Sequence, residues 1–175
     1  MTAPSVGVRV VSVDDVPELT ALVAQNLEFL APWDPLRARD YATEAAQHRL
    51  VVESLERHVA DLIVPLVITE DGRIVGRITV NNIVRGPFQS AHLGYWVSED
   101  HNGRGVATAA VAVTVDLAFH TYGLHRLQAA TLVHNLGSQR VLQRNGFTLI
   151  GPAPRYLQIA GRWQDHLLFQ HVAPS

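Results

Sequence analysis

Lysine and cysteine are both missing from this chain, whose fourteen basic residues are all arginine. Without lysine there is no Walker A lysine, no pyridoxal-phosphate Schiff base and no lysine-based aldolase chemistry. Without cysteine there is no thiol nucleophile, no zinc site of the Cys type and no redox disulfide, so an acyl group passing through the protein cannot rest on a thiol. The nine histidines are scattered and include no H-E-x-x-H pair, and no metal site is expected. No stretch approaches a membrane span, and the N-terminus lacks the basic-then-apolar pattern of a signal peptide, so a cytoplasmic location is expected. A net charge of only −2 gives no general nucleic-acid-binding face. Repeats, low-complexity tracts and linkers are absent as well.

What is present describes a globular protein. With 47% hydrophobic and 17% charged residues, residues 1–175 are expected to form one domain whose core needs neither disulfide nor metal. Val6 to Val11 is a short β-rich run, followed by Asp14 and Asp15 as candidate helix caps before Pro17. Val16, Leu19, Val23, Leu27 and Leu30 fall at helical spacing, and Ala31-Pro32-Trp33-Asp34-Pro35 ends that helix. Asp40 is a candidate cap for a second helix with Tyr41, Ala45, His48, Val52, Leu55 and Val59 on its apolar face. Leu62 to Thr69 and Ile74 to Ile83 form a hairpin across Asp71-Gly72, and Pro65 predicts an edge or a bulge in the first strand. Ala91 to Val97 completes a meander. A long Ala/Val helix follows, to near Tyr122-Gly123, then a strand Arg126 to Val133, a helix Asn135 to Asn145, and closing strands Phe147 to Ile150 and Trp163 to Val172. The crossover helix places the Arg126 strand parallel to the Ala91 strand, which gives a mixed α/β fold with one sheet.

The chemistry concentrates where the Ala91 strand turns into the Ala/Val helix. Gly103 and Gly105 let the backbone approach a ligand closely, and the helix that starts there points unpaired N–H groups at it. This is an anion site, suited to a phosphate or pyrophosphate. A second constellation lies one helix and one strand further on. Asn135, Ser138 and Leu142 share a helix face, so an amide and a hydroxyl project together from the first turn. Taken alone, Asn135 reads as a helix cap.

Asn102-Gly103-Arg104-Gly105-Val106-Ala107 resembles the Q/R-x-x-G-x-G/A loop of the GNAT (GCN5-related) N-acetyltransferases, with Asn102 departing from the usual Gln or Arg. Asn135-x-x-Ser138 with Gly146-Phe147 resembles that family's N-x-x-A/S pattern, in the family's order. Pro32-Trp33, Gly94-Tyr95-Trp96, Gly151-Pro152-Ala153-Pro154-Arg155-Tyr156 and Gly161-Arg162-Trp163-Gln164-Asp165-His166 extend the resemblance to the RimJ/RimL-type N-terminal acetyltransferases over nearly the whole chain. The resemblance implies a single GNAT domain, a mixed sheet flanked by helices whose fourth and fifth strands splay apart to admit acetyl-CoA. It implies that Asn102 to Thr108 hold the pyrophosphate, with Arg144 nearby, and that Trp96, Val97, Asn135 and Ser138 hold the pantetheine arm.

The same resemblance implies direct attack of an amine on the thioester in a ternary complex, a route compatible with the absence of cysteine. Many family members carry a tyrosine proton donor seven residues after the Asn, where this chain has Leu142; Ser138 is the first replacement and Tyr156 the second. No Glu lies on the Ala91 strand, leaving His92, His134 or a water as base. An α-amine with pKa near ~8 is about a tenth neutral at pH 7, a lysine amine near ~10.4 about one part in a few thousand, so the site suits an α-amine. The acceptor mouth is expected at Trp33, Asp34 and Tyr95. The expected acceptor is a protein or peptide N-terminus, with a ribosomal protein the leading case. A small amine such as an antibiotic or polyamine is the alternative, and a non-catalytic acyl-CoA-binding module another. The protein is expected to work as a monomer or homodimer.

Overall fold

Seven strands hydrogen-bond in the order β1-β2-β3-β4-β5-β7-β6 in the computed structural model, which describes residues 5–174. They are β1 (Val6–Val10), β2 (Val64–Glu70), β3 (Arg73–Val84), β4 (Ser90–Val97), β5 (Arg126–Leu132), β6 (Thr148–Ile159) and β7 (Arg162–Val172). Helices α1 (Val16–Leu30) and α2 (Glu44–Val59) follow β1, α3 (Val106–Asp116) links β4 to β5, and α4 (Leu136–Arg144) links β5 to β6. The element order is the one read from the sequence, and β4 and β5 are the parallel pair.

Local chemistry explains most boundaries. Asp71 and Gly72 have φ of 49° and 83°, the left-handed pair that a two-residue hairpin turn requires. α3 leaves regular geometry at Leu117–Thr121, where a wider turn lets the Tyr122 N–H donate to the Leu117 carbonyl at 3.0 Å. Gly123, at φ 63°, then reverses the chain into β5.

Two apolar layers sandwich the sheet. Under α3 and α4 lie Ile68, Ile78, Leu127, Leu142 and Phe169, all fully buried. Each such side chain stabilises the fold by about 2 kcal/mol. Under α1 and α2 lie Leu19, Leu22, Val51, Val67 and Ile74, with Trp96 packed against them.

Several expectations are corrected. Asp15 occupies the N-cap position of α1, as expected of one of the two aspartates, but its side chain makes no cap bond there. The side-chain cap is Ser12, at the 3-10 turn Val13–Asp15 that leads into α1; its Oγ accepts from the Asp14 N–H, while Asp15 accepts from the Ser12 N–H at 2.7 Å and pairs with Arg9. Thr43, not Asp40, caps α2, and the buried face of α2 is Ala46, Gln47 and Val51, with Val59 exposed. Gln47 is buried because it bridges the Tyr41 carbonyl and the Arg77 guanidinium, a polar link that hydrophobic spacing does not register. Leu27 is likewise exposed, its place taken by Asn26, whose Oδ1 accepts from the Glu99 N–H at 2.9 Å. Pro65 sits on neither an edge strand nor a bulge: β2 lies between β1 and β3, and its bulge falls at Ile68/Thr69. The Pro65 carbonyl accepts from the Val11 N–H at 3.0 Å, just past the end of the β1 ladder at Val10↔Leu66, where a strand donor is no longer needed. β6 runs nine residues beyond the expected Ile150, to Ile159, interrupted by a bulge between Ala153 and Leu157.

β4 and β5 pair only at Ser90↔Arg126, Ala91↔Leu127 and His92↔Gln128. Beyond those rungs β4 continues to Val97 and β5 to Leu132, and the two strands part. This is the splay expected of the fourth and fifth strands.

Candidate functional site

The parted strands open onto a cavity of about 370 Å³ that runs from the start of α3 to the first turn of α4. Gly103 and Gly105, at φ 73° and 85°, form its loop. The first α3 bond to the loop is the Ala109 N–H to the Gly105 carbonyl at 3.0 Å, so the N–H groups of Val106, Ala107 and Thr108 have no helical acceptor. Those three residues line the cavity, as do Asn102, Gly103 and Gly105. Asn102 itself is turned away: its amide donates to the Val97 and Ser98 carbonyls at 3.0 and 2.9 Å, tying the loop to the end of β4. Arg104 does not line the cavity, because its guanidinium pairs with the buried Glu70 at 3.3 Å. Of the loop residues expected to hold a cofactor, Arg104 is the one outside the cavity lining.

Arg144 lines the same cavity, and so does Arg140, one turn earlier on α4. Arg140 was missed by the sequence reading, although its i,i+4 spacing from Arg144 puts both cations on one face. Three N-terminal helix amides with two arginines opposite are the donor set that a pyrophosphate needs, and the parted strands supply the slot for an extended thioester arm. The residues present thus fit coenzyme A. Among the described residues, no group of His, Cys, Asp and Glu side chains could hold a metal ion.

A second cavity of about 220 Å³ continues through the sheet. Leu30, Trp33, Tyr95, Trp96, Asn135 and Ser138 line both cavities, which makes one passage from the α3/α4 face to the α1/α2 face. Trp96 and Val97 of β4 line the first part, and Trp33 stands at the crossing with its ring 5.5 Å from that of His134. Asp34 lines the second part with its carboxylate 2.7 Å from Arg37, so the charge offered to an incoming cation is already shared.

Tyr95 meets Ser138 inside this passage. Their hydroxyl oxygens are 2.8 Å apart, and the Tyr95 hydroxyl also lies 3.3 Å from the Ser138 carbonyl. Burial pushes the Tyr95 phenol up to about 12, an effect that the hydrogen bond with Ser138 only partly opposes. The phenol stays protonated throughout the physiological range and is available as a donor. Asn135 both lines the passage and caps α4, its Oδ1 accepting from the Ser138 N–H at 3.0 Å, which fixes the backbone that carries Ser138.

Other expected residues lie apart. Tyr156 lines neither cavity; it sits in the β6 bulge, partly exposed, with its ring 5.7 Å from that of His166. His92 also lines neither cavity, and its Nδ1 is buried without a partner. Leu142, at the position of the family tyrosine, is fully buried in the core.

Comparison with known proteins agrees with this geometry. Residues 6–148 match the model of the acetyltransferase (GNAT) domain. The probable N-acetyltransferase YjcK of Bacillus subtilis is 36% identical over 96% of this chain and 94% of its own. The ribosomal protein uS5-alanine N-acetyltransferase of Escherichia coli is 30% identical over 100% of this chain and 91% of its own. Among solved structures, RimJ of Mycobacterium smegmatis in complex with CoA-disulfide superposes with a TM-score of 0.94 at 33% identity, over 98% of this chain and 83% of that one.

Proposed function

This chain belongs to the GNAT acetyltransferase family and is an acetyl-CoA-dependent N-acetyltransferase, and on that premise we propose that its acceptor is the N-terminal α-amine of a ribosomal protein. The observation that carries this reading is the passage formed by the two cavities, with the α3 amides lining one part and Trp33 and the Tyr95–Ser138 pair where the two parts meet. Trp33 and Leu157 give the second cavity an apolar wall along which an extended chain end can lie. The relatives named above for uS5 alanine support the same acceptor class.

In the ternary complex, acetyl-CoA lies with its pyrophosphate on Gly103 to Thr108 and its pantetheine along the free edge of β4. The Trp96–Val97 backbone orients the thioester and polarises its carbonyl. The neutral amine attacks from the Trp33 side, the carbon–sulfur bond breaks, and the departing thiolate takes a proton from Ser138, whose hydroxyl Tyr95 backs. Tyr95 thereby supplies the phenol that Leu142 does not, from the strand instead of the helix.

Free-thiol release from acetyl-CoA separates the readings when peptides beginning with Ala or Ser are run against a panel of small amines. Turnover on the peptides at least ten times that on any small amine supports the proposal. Comparable or higher turnover on a polyamine or aminoglycoside overturns it.

A further inference from the structure

One buried ionisable group in the passage has no part in the reaction as written above. His166 on β7 is 3% exposed, yet it lines the second cavity beside Trp33, Asp34, Leu157 and Ile159. Its Nδ1 is 2.9 Å from the Gln164 carbonyl. A carbonyl can only accept, so Nδ1 carries the hydrogen of the neutral ring and Nε2 is left with the lone pair.

The pleat decides which side of the sheet this lone pair serves. β7 pairs with β5 in unbroken register, and Phe169, three residues from His166, belongs to the core under α3 and α4. Side chains an odd number of residues apart on a strand point to opposite faces, so His166 faces the α1/α2 side, where Trp33 stands. Tyr95 packs into the opposite, α3/α4, core. The passage therefore has a base on the face where the acceptor enters and a hydroxyl pair toward the face where the thiol leaves.

The surroundings leave His166 free for this role. Tyr156 from β6 covers one side of the ring at 5.7 Å, and β5 offers only Leu132 opposite it in register. Asp34 is the carboxylate in the same cavity and is held by Arg37, while Asp165 accepts from the Arg155 N–H at 2.8 Å. The two-residue bulge in β6, with Arg155 at φ 50°, is what swings Tyr156 over the imidazole.

We propose that His166 is the catalytic base that deprotonates the acceptor amine. This rests on the acetyl-transfer reading given above. The α-ammonium gives one proton to Nε2; the neutral amine forms the nitrogen–carbon bond as the carbon–sulfur bond breaks; the thiolate takes the Ser138 hydroxyl proton. The surplus proton left on the new amide nitrogen restores that hydroxyl, and His166 discharges its own proton to solvent through the Trp33 mouth. Each turnover converts one ammonium and one thioester into one amide, one thiol and one released proton.

His166→Asn is the first test, because the amide still donates to the Gln164 carbonyl but offers no base. At pH 7, kcat on an Ala-initiated peptide should fall roughly 10- to 100-fold, while both KM values and the melting temperature stay near wild type. The deficit should shrink as the pH rises and the peptide amine, near ~8, loses its proton unaided. His166→Ala with added imidazole is the second: imidazole should restore part of its turnover and none to Ser138→Ala. An unchanged kcat in the folded Asn variant overturns the proposal, as does a deficit that is flat with pH together with no imidazole rescue. Wild-type enzyme inactive on every peptide and amine would instead bring down the acetyl-transfer reading, and this proposal with it.

Discussion

The hydroxyls of Tyr95 and Ser138 lie 2.8 Å apart although 43 residues separate them, one on a strand and one on a helix. Two donors that share a hydrogen bond can pass a proton along it, and in the proposed reaction the buried phenol would hold the serine in place for the leaving thiolate. Ser138→Ala should lower kcat by roughly 10- to 1000-fold with little change in acetyl-CoA affinity. Tyr95→Phe should lower it less, because the serine remains. Steady-state kinetics on a reactive peptide check both, and Tyr156→Phe, outside the passage, serves as the comparison.

The raised phenol of Tyr95 also predicts an alkaline limit to stability. A tyrosine pushed up to about 12 in the folded state and near 10 when unfolded stays neutral in the native protein while the unfolded chain ionises. Its contribution is complete below pH 10 and is lost as pH rises through the folded value, with a total on the order of 2 to 3 kcal/mol. Tyr95→Phe should flatten the fall between pH 10 and 12 in chemical-denaturation midpoints. Tyr122, also raised by burial, leaves a residual slope.

Gly105→Asp should abolish coenzyme A binding. Gly105 has φ 85° and caps α3, so the substitution adds backbone strain and puts a negative charge where an anion is to bind. Calorimetry with coenzyme A on the folded variant decides, and affinity equal to wild type would remove the loop from the cofactor site.

A less obvious glycine matters as much. A Cβ on Gly76 of β3 would collide with the backbone carbonyl of Trp96, on the strand proposed to orient the thioester. Backbone cannot step aside as a flexible side chain can. Gly76→Ala should therefore displace the end of β4, weakening coenzyme A binding about ten-fold or more and lowering the melting temperature. Unchanged affinity with a lowered melting temperature would mean that β3 moves instead.

Trp33→Ala should raise the KM for a peptide several-fold and leave coenzyme A binding intact. The ring is 36% exposed and lines both cavities, so it is a wall and not a plug of the core. The loss of stability should fall well below the roughly 3 to 5 kcal/mol of a fully buried tryptophan. Thermal melts beside the kinetics separate these effects.

How much could be read from the sequence depended on distance along the chain. The loop from Asn102 to Thr108 and the pair Asn135 and Ser138 are local, each written within a few residues and an adjoining element, so the sequence marks them as candidates, and the fold brings residues of both to one cavity. Tyr95 was placed with the acceptor residues, because nothing local says that a strand side chain will meet a helix serine. His166 was invisible for a related reason: its cavity is made by a β6 bulge of two extra residues, which no alternation pattern announces. The α2 face was misread because Gln47, a polar residue, holds a core position through its two hydrogen bonds.

Parting β4 from β5 makes two raw strand margins in the middle of the sheet, and raw margins are where other chains add themselves and begin to aggregate. Here they confront each other across a cleft walled by Trp33, Trp96 and α4, out of reach of a neighbouring molecule's strand. One of the two outermost strands, β6, carries Pro152 and Pro154, which cannot donate, and the bulge that follows. The sheet can thus stay ajar for a substrate while its inner margins are walled off from strand addition.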